Sequence, residues 1–367
     1  DAEATTDFAG EKQPTPKGKK PPKADADPDL PEKLGGYAVH KQLGKGGMGA
    51  VYLARQLSLD RAVALKVMNP RWADDPVFLA RFVREAYAAA QLNHHNVVQI
   101  YDIGADAGVH FFSMEFVDGR SLGDALRNAG RLDPAAAIGY TLQAARGLKF
   151  AHDRGMVHRD VKPDNLMLNA EGVVKVADLG LVKTRDMTAA DDAGAAGGPG
   201  ESEIKAVART DVTAAGTAMG SPAYMAPEQC RDAATVDPRA DVYSLGCSLY
   251  ALLAGRAPFQ GATAVEVISK HLTETPPPLD AVVKGLPKGL SDIVARALAK
   301  DPAERYQSMD EFIGALKGWQ EKQAAGPPRP TEEQIAAFEE QAGNLTAAPL
   351  PKLAATLAVV MPAAAGV

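Results

Sequence analysis

The sequence predicts an α+β protein of two lobes, the first β-rich with one main helix and the second α-rich. Three observations carry this. Short alternating apolar runs broken by glycines begin at Tyr37, the apolar period turns helical beyond Asp118, and residues 1 to about 32 contain almost no large apolar side chain. At 367 residues the chain is long enough for two or more compact units, each able to bury its own core.

Residues 1–33, rich in Pro, Lys and Asp, cannot bury enough surface to offset the entropy of ordering and are expected to form a disordered arm. The first lobe spans 34–117. "YAVHKQLGKGGMGAVYLARQ" and "RAVALKVMN" read as antiparallel strands, and "DPVFLARFVREAYAAAQLN" as a helix with Phe78, Phe82, Ala86 and Ala89 on one face. Strands around "VVQIYDIG" and "VHFFSMEFV" complete it. The second lobe, 118–318, contains six helical runs from "SLGDALRNAG" to "SMDEFIGALKGW", with Asp133-Pro134 marking a helix start. Within it, 178–228 includes an Ala/Gly-rich stretch without periodicity, expected to be a functional flexible segment. Residues 319–367 read as a linker, a short helix with Thr331 and Gln334 at capping-box spacing, and an Ala-rich apolar tail.

Composition narrows the function. A net charge of -6 argues against a nucleic-acid-binding surface. Cys230 and Cys247 are too few for a disulfide framework and too far apart for a CxxC clasp, so reduced thiols and a cytoplasmic setting are expected. No run of about 20 apolar residues occurs. The tail "LAATLAVVMPAAAGV" is too short to span and is interrupted by Pro362; it reads as a docked end or as the start of a membrane tether continuing beyond the C-terminus. The first residue is Asp1, so the chain is expected to be cut from a longer protein, which membrane association would suit.

The chemistry lies in five motifs. In "LGKGGMGAVYLA", Gly44, Gly46 and Gly49 have GxGxxG spacing, and the strand-like continuation suggests a β-hairpin lid over phosphates. Lys66 stands in the apolar strand "VALKVM", where a buried ammonium needs a partner; Glu85 on the helix is the candidate, and the pair would hold the ammonium for α- and β-phosphates. "MVHRDVKPDN" concentrates His158, Arg159, Asp160, Lys162, Asp164 and Asn165 in ten residues. Asp178 in "VKVADLGL" follows a strand-like run and, with Asn165, offers hard oxygen ligands suited to Mg²⁺.

Taken in order, lid, Lys, Glu, HRD-K-N loop and DLG make residues about 37 to 318 resemble a protein kinase domain of the bacterial Hanks-type (eukaryotic-like) serine/threonine class. The resemblance implies a Ser/Thr protein kinase that uses ATP with Mg²⁺, or Mn²⁺ in its place. It implies that Leu43, Gly44, Lys45, Gly46, Gly47, Met48 and Gly49 cover the phosphates, and that Lys66 pairs with Glu85. Asp160 takes the substrate hydroxyl proton, Lys162 steadies the γ-phosphate, and Asn165 and Asp178 hold the metal. Met114 is the gatekeeper residue, the backbone from Glu115 to Val117 meets adenine, and Val51, Ala64 and Met167 sandwich the base. Glu228 of "APE" pairs with Arg305, and Asp241 braces the catalytic loop. Three positions depart from the commoner pattern: Leu179 in DLG, Ser221 before "PAYMAPE" and His95 in "NHHNVV". His94 and His95 are expected to shape the loop after the helix.

Arg159 is expected to meet a phosphate on the activation segment, with Thr210, Thr213 and Thr217 as candidate sites for autophosphorylation. Autophosphorylation in trans implies a transient homodimer, and the partners implied are proteins with Ser or Thr. The rivals are a catalytically silent ATP-binding pseudokinase scaffold, opposed by intact Lys66, Asp160, Asn165 and Asp178, and a small-molecule phosphotransferase, opposed by the long activation segment and "APE".

Overall fold

The computed structural model describes residues 32–46, 49–73, 75–179, 222–231 and 236–324. The arm, the Thr331–Gln334 helix and the apolar tail lie outside them. Among the described residues no helix is long and apolar enough to cross a membrane. One compact unit ends at Trp319 and a second begins at Gln320.

The first lobe is a six-stranded antiparallel sheet made of β1 (Lys33–Leu34), β2 (Tyr37–Gly46), β3 (Gly49–Gln56), β4 (Arg61–Met68), β5 (Ile100–Asp106) and β6 (Val109–Glu115), in the order β1-β2-β3-β4-β6-β5. Alternation along the strands sorts its two faces. Val63, Leu65 and Val67 of β4 join Leu34, Tyr37, Tyr52 and Phe111 in a cluster on the outer face, where the Tyr37 hydroxyl meets Ser113 Oγ at 2.9 Å. Ala64 and Met68 pack inward, so Lys66 between them also projects to the inner face. The β2–β3 turn needs glycine at Gly49: its φ is 156°, and a Cβ would fall 2.0 Å from the Val67 carbonyl oxygen.

Helix α1 (Pro76–Ala90) covers the inner face. The Asp75 carboxylate caps it by accepting from the Val77 and Phe78 N–H groups, and Phe82, Ala86 and Ala89 are buried, with Phe82 5.1 Å from Phe112. In the loop that follows, His94 Nδ1 accepts from the Asn96 N–H at 3.1 Å and its ring lies 4.8 Å from Phe150, so His94 shapes this turn as expected.

The second lobe opens with β7 (Gly119–Ser121), α2 (Leu122–Ala129) and α3 (Pro134–His152). Ser121 and Asp124 form a capping box on α2, and Asp133 caps α3 ahead of Pro134. Next come β8 (Leu166–Asn169) and β9 (Val174–Val176); β8 pairs with both β7 and β9 in a small antiparallel ribbon. Strands of three or four residues show no period, and the sequence reading of this lobe as mainly helical passed over β7 and β8. The remaining helices are α4 (Pro227–Arg231), α5 (Arg239–Ala254), α6 (Ala264–Thr273), α7 (Leu279–Val282), α8 (Leu290–Ala297) and α9 (Met309–Ala324). From Ala240 to Leu253 every residue of α5 is buried; α8 approaches so closely that a Cβ on Gly246 would meet Ala297 Cβ at 2.8 Å.

The length allows each lobe a core of its own; the first lobe has one on the outer face of its sheet, but its inner face shares a core with the second lobe. One apolar cluster runs from Ala64, Met68 and Phe82 through Val97, Val176 and Leu148 to Tyr250 and Phe312. The sheet's inner face and α1 are too few layers to enclose themselves. A parallel bridge between Val97 and Val176 joins the lobes, with Val98 N–H donating to the Val176 carbonyl (2.9 Å) and Val176 N–H to the Asn96 carbonyl (2.8 Å).

Candidate active site

Lys66 and Asp178, 112 residues apart in sequence, meet on the inner side of the sheet: Nζ lies 2.8 Å from Asp178 Oδ1. The Lys66 charge holds the Asp178 carboxyl below the usual carboxylate range against the opposing effect of burial. Asp178 follows β9 with φ 50°, a left-handed conformation that turns the chain sharply after the strand. Leu179, the departure in DLG, is 8% exposed and fills a place in the shared core, as an apolar residue there should. Glu85 sits on α1, but its side chain lies outside the described residues, so the placed partner of Lys66 is Asp178.

The loop between α3 and β8 is held from beneath by Asp241, which is fully buried at the start of α5. Its carboxylate accepts from the His158 N–H (2.8 Å), the Arg159 N–H (2.8 Å) and His152 Nε2 (2.7 Å). Burial alone would raise this carboxyl; the hydrogen bonds from His152 and the His158 N–H reverse that and hold it low. Two of these bonds fix the backbone of His158 and Arg159 and support the left-handed Arg159 (φ 66°), and the third ties the carboxylate to the end of α3. The His158 ring adds Nε2 to the Ala177 carbonyl at 3.0 Å, tying this loop to the residue before Asp178.

On this footing the polar groups converge. Lys162 Nζ is 2.7 Å from Asp160 Oδ2, and Asn165 Nδ2 donates to the Asp160 carbonyl (2.8 Å) and to Oδ2 (3.1 Å). Asn165 therefore turns its amide nitrogen to Asp160 and leaves its oxygen as an acceptor. Burial lowers the Arg159 guanidinium, with Asp241 offsetting part of the cost.

Val51, Ala64, Met114, Val117 and Met167 all pack on the shared core, on the same side of the sheet as Lys66. The Glu115 N–H donates to the Gln99 carbonyl at 2.8 Å, and its carboxylate pairs with Lys175 at 2.9 Å. Leu43, Gly44, Lys45 and Gly46 form the exposed end of β2; Gly47 and Met48 lie outside the described residues, as do Thr210, Thr213, Thr217 and Ser221.

Past the undescribed part of the segment, the Pro222–Tyr224 turn and α4 return to the loop. Glu228 holds the fully buried Arg305 through two bonds of 2.6 and 2.7 Å, the pair expected from sequence. Gln229 Nε2 donates to the Arg159 carbonyl at 2.8 Å, and its Oε1 accepts from the Ala226 N–H. The sequence reading assigned no role to Gln229, His152 or Lys175. Their partners stand 70, 89 and 60 residues away, and no local pattern announces them.

A family model described as "Protein kinase domain" matches residues 37–313. The serine/threonine-protein kinase PknL of Mycobacterium tuberculosis (strain H37Rv) is 39% identical over 270 residues, covering 74% of this chain and 62% of that protein. The serine/threonine-protein kinase PknB of the same strain is 38% identical over 325 residues, covering 86% and 49%. The chain thus spans about three fifths of the PknL relative's length. Among solved structures, the M. tuberculosis PknI kinase domain superposes with TM-score 0.58 at 29% identity, covering 78% of this chain and 96% of that one.

Proposed function

The chain belongs to the bacterial Hanks-type serine/threonine protein kinases, and on that premise we propose that it transfers the γ-phosphate of Mg²⁺-bound ATP to Ser and Thr hydroxyls of proteins. The observation that carries the reading is the convergence of Lys66 and Asp178 with Asp160, Lys162 and Asn165, drawn from both lobes and tied together by the Ala177 backbone, whose N–H donates to the Asn165 carbonyl and whose carbonyl meets His158 Nε2. The same convergence leaves the scaffold alternative without support.

The donor set fits the metal: the Asn165 oxygen and the second Asp178 oxygen are hard ligands, and Mg²⁺ takes one or two such groups and completes its shell with phosphates and water. When bound, the ion neutralises charge on the β- and γ-phosphates. The chain's own residues do the rest. Adenine enters between Val51 and Ala64 above and Met167 below, behind Met114. With the Glu115 N–H already bonded to Gln99, the edge it meets is the Glu115 carbonyl and the Val117 N–H. The glycine hairpin from Leu43 to Gly49 closes over the phosphates with backbone N–H groups, and Lys66, with Glu85 as its expected partner, holds the α- and β-phosphates.

Asp160 accepts the proton of the substrate hydroxyl as its oxygen bonds to Pγ and the bond from Pγ to the bridging oxygen breaks, releasing ADP. Lys162 offsets charge on the moving phosphoryl group. The Pro222–Tyr224 turn and α4, bolted to the loop by Gln229, form the platform on which the protein substrate lies. A phosphate on Thr210, Thr213 or Thr217 would supply a counter-charge to the partly buried Arg159 guanidinium and order the segment.

Labelled ATP with Mg²⁺ tests this. Transfer to Ser or Thr within residues 184–221, located by mass spectrometry and lost in Asp160→Asn, is the expected result. No label in the parent chain, with or without added protein substrate and an active relative to phosphorylate it, would overturn the reading.

A further inference from the structure

Behind that platform, the second lobe buries polar groups for which the chemistry above has no use. His271 on α6 is fully buried. Its Nδ1 lies 2.8 Å from the Tyr243 hydroxyl on α5, and its ring meets Phe259 edge-on at 4.8 Å. Lys300 Nζ donates to the His271 carbonyl at 2.7 Å, which pins the last turn of the helix. The other ring nitrogen, Nε2, is buried without a hydrogen bond of good geometry, yet it faces the backbone of Ala223 in the Pro222–Tyr224 turn.

The tautomer follows from these neighbours. A carbonyl opposite a ring nitrogen calls for a proton on that nitrogen, so the Tyr243 hydroxyl donates to Nδ1 and the neutral ring carries its proton on Nε2. A buried N–H short of its acceptor is costly, and a small movement of the turn towards α6 relieves that cost. The turn is also well placed to feel a substrate: it packs on α6, Tyr224 lies within the field of Asp164, and the adjoining Gln229 is bonded to the catalytic loop.

We propose that His271 is a positioning residue for the peptide substrate: its Nε2–H closes onto the Ala223 carbonyl when a peptide seats on the Pro222–Tyr224 turn, and Tyr243 fixes the tautomer that makes this bond. The proposal rests on the kinase reading, but its test uses binding, so the two fail separately.

The test takes the full chain in the Asp160→Asn background and measures by fluorescence anisotropy the affinity for a labelled peptide copied from residues 205–221 (KAVARTDVTAAGTAMGS). ATP affinity is measured alongside. His271→Phe keeps a ring but cannot donate, and should weaken the peptide about fivefold with ATP affinity unchanged. His271→Gln restores a donor and should stay within about twofold of the parent. Tyr243→Phe, with His271 intact, removes the donor to Nδ1; it should weaken the peptide by less than His271→Phe and let part of the ring population carry its proton on Nδ1, read from the imidazole ¹⁵N shifts. Overturning results are unchanged peptide affinity in His271→Phe, parallel loss of ATP and peptide, absence of peptide binding by the parent, or a parent ring protonated on Nδ1. Should His271→Phe not fold, the Tyr243→Phe affinity and the ring shifts decide.

Discussion

Asp160 is the side chain on which the chemistry turns, and Asp160→Asn keeps its size while removing its capacity to accept a proton. Phosphate transfer should fall roughly 10²- to 10⁴-fold with ATP affinity preserved, as measured by initial rates and nucleotide titration. Lys66→Met removes the largest influence holding Asp178 low, so the Asp178 carboxyl should titrate at higher pH in that variant, followed by carboxyl ¹³C shifts. His271 gives a stability effect of definite sign. Burial and the Lys300 charge hold its pKa down to about 4 from an ordinary 6.5. Between those values the unfolded chain binds a proton that the folded chain excludes, so this stability is fully present above pH 6.5 and lost as pH falls towards 4. The loss should reach about 3 kcal/mol in denaturant titrations across that range and vanish in His271→Gln.

Among the elements, the β2–β3 hairpin and α4 each offer one residue whose replacement has a readable effect. Gly49→Ala would set a methyl group against the Val67 carbonyl, so the hairpin must open; the expected result is weaker ATP binding with little change in peptide affinity. Glu228→Ala would leave the buried Arg305 charge without its carboxylate, held only by the Ala299, Arg239 and Lys300 carbonyls, at a cost of about 3 kcal/mol visible as a large fall in Tm. What the sequence made legible at this scale was local. Asp133 with Pro134 announces its helix because a cap acts within three residues, and the glycine spacing announces the hairpin because the strand resumes at once. The Glu228–Arg305 pair and the bracing by Asp241 were reached through family resemblance, since each joins residues about 80 apart. The bonds from Gln229, His152 and Lys175 had no such guide. A helix or a ribbon strand sets their direction, and only the folded chain brings their partners within reach.

For the whole molecule, two lobes were legible in the change of apolar period near Asp118, but the way they join was not. Period tells which face of a strand or helix is apolar without telling which neighbour covers it. The inner face of the first sheet is covered jointly by α1 and by residues of the second lobe, through the Val97–Val176 bridge and the cluster around it. That shared cluster governs how the chain comes apart. The two tryptophans happen to report on the two lobes: Trp72 stacks on Phe78 at 4.0 Å, and Trp319 is buried with its indole N–H on the Lys288 carbonyl. In single-tryptophan variants, Trp72→Phe and Trp319→Phe, the two urea midpoints should coincide, because neither half can lose its packing without exposing the other's. A gene split at Asp118 should yield two insoluble fragments that recover nucleotide binding only when refolded together.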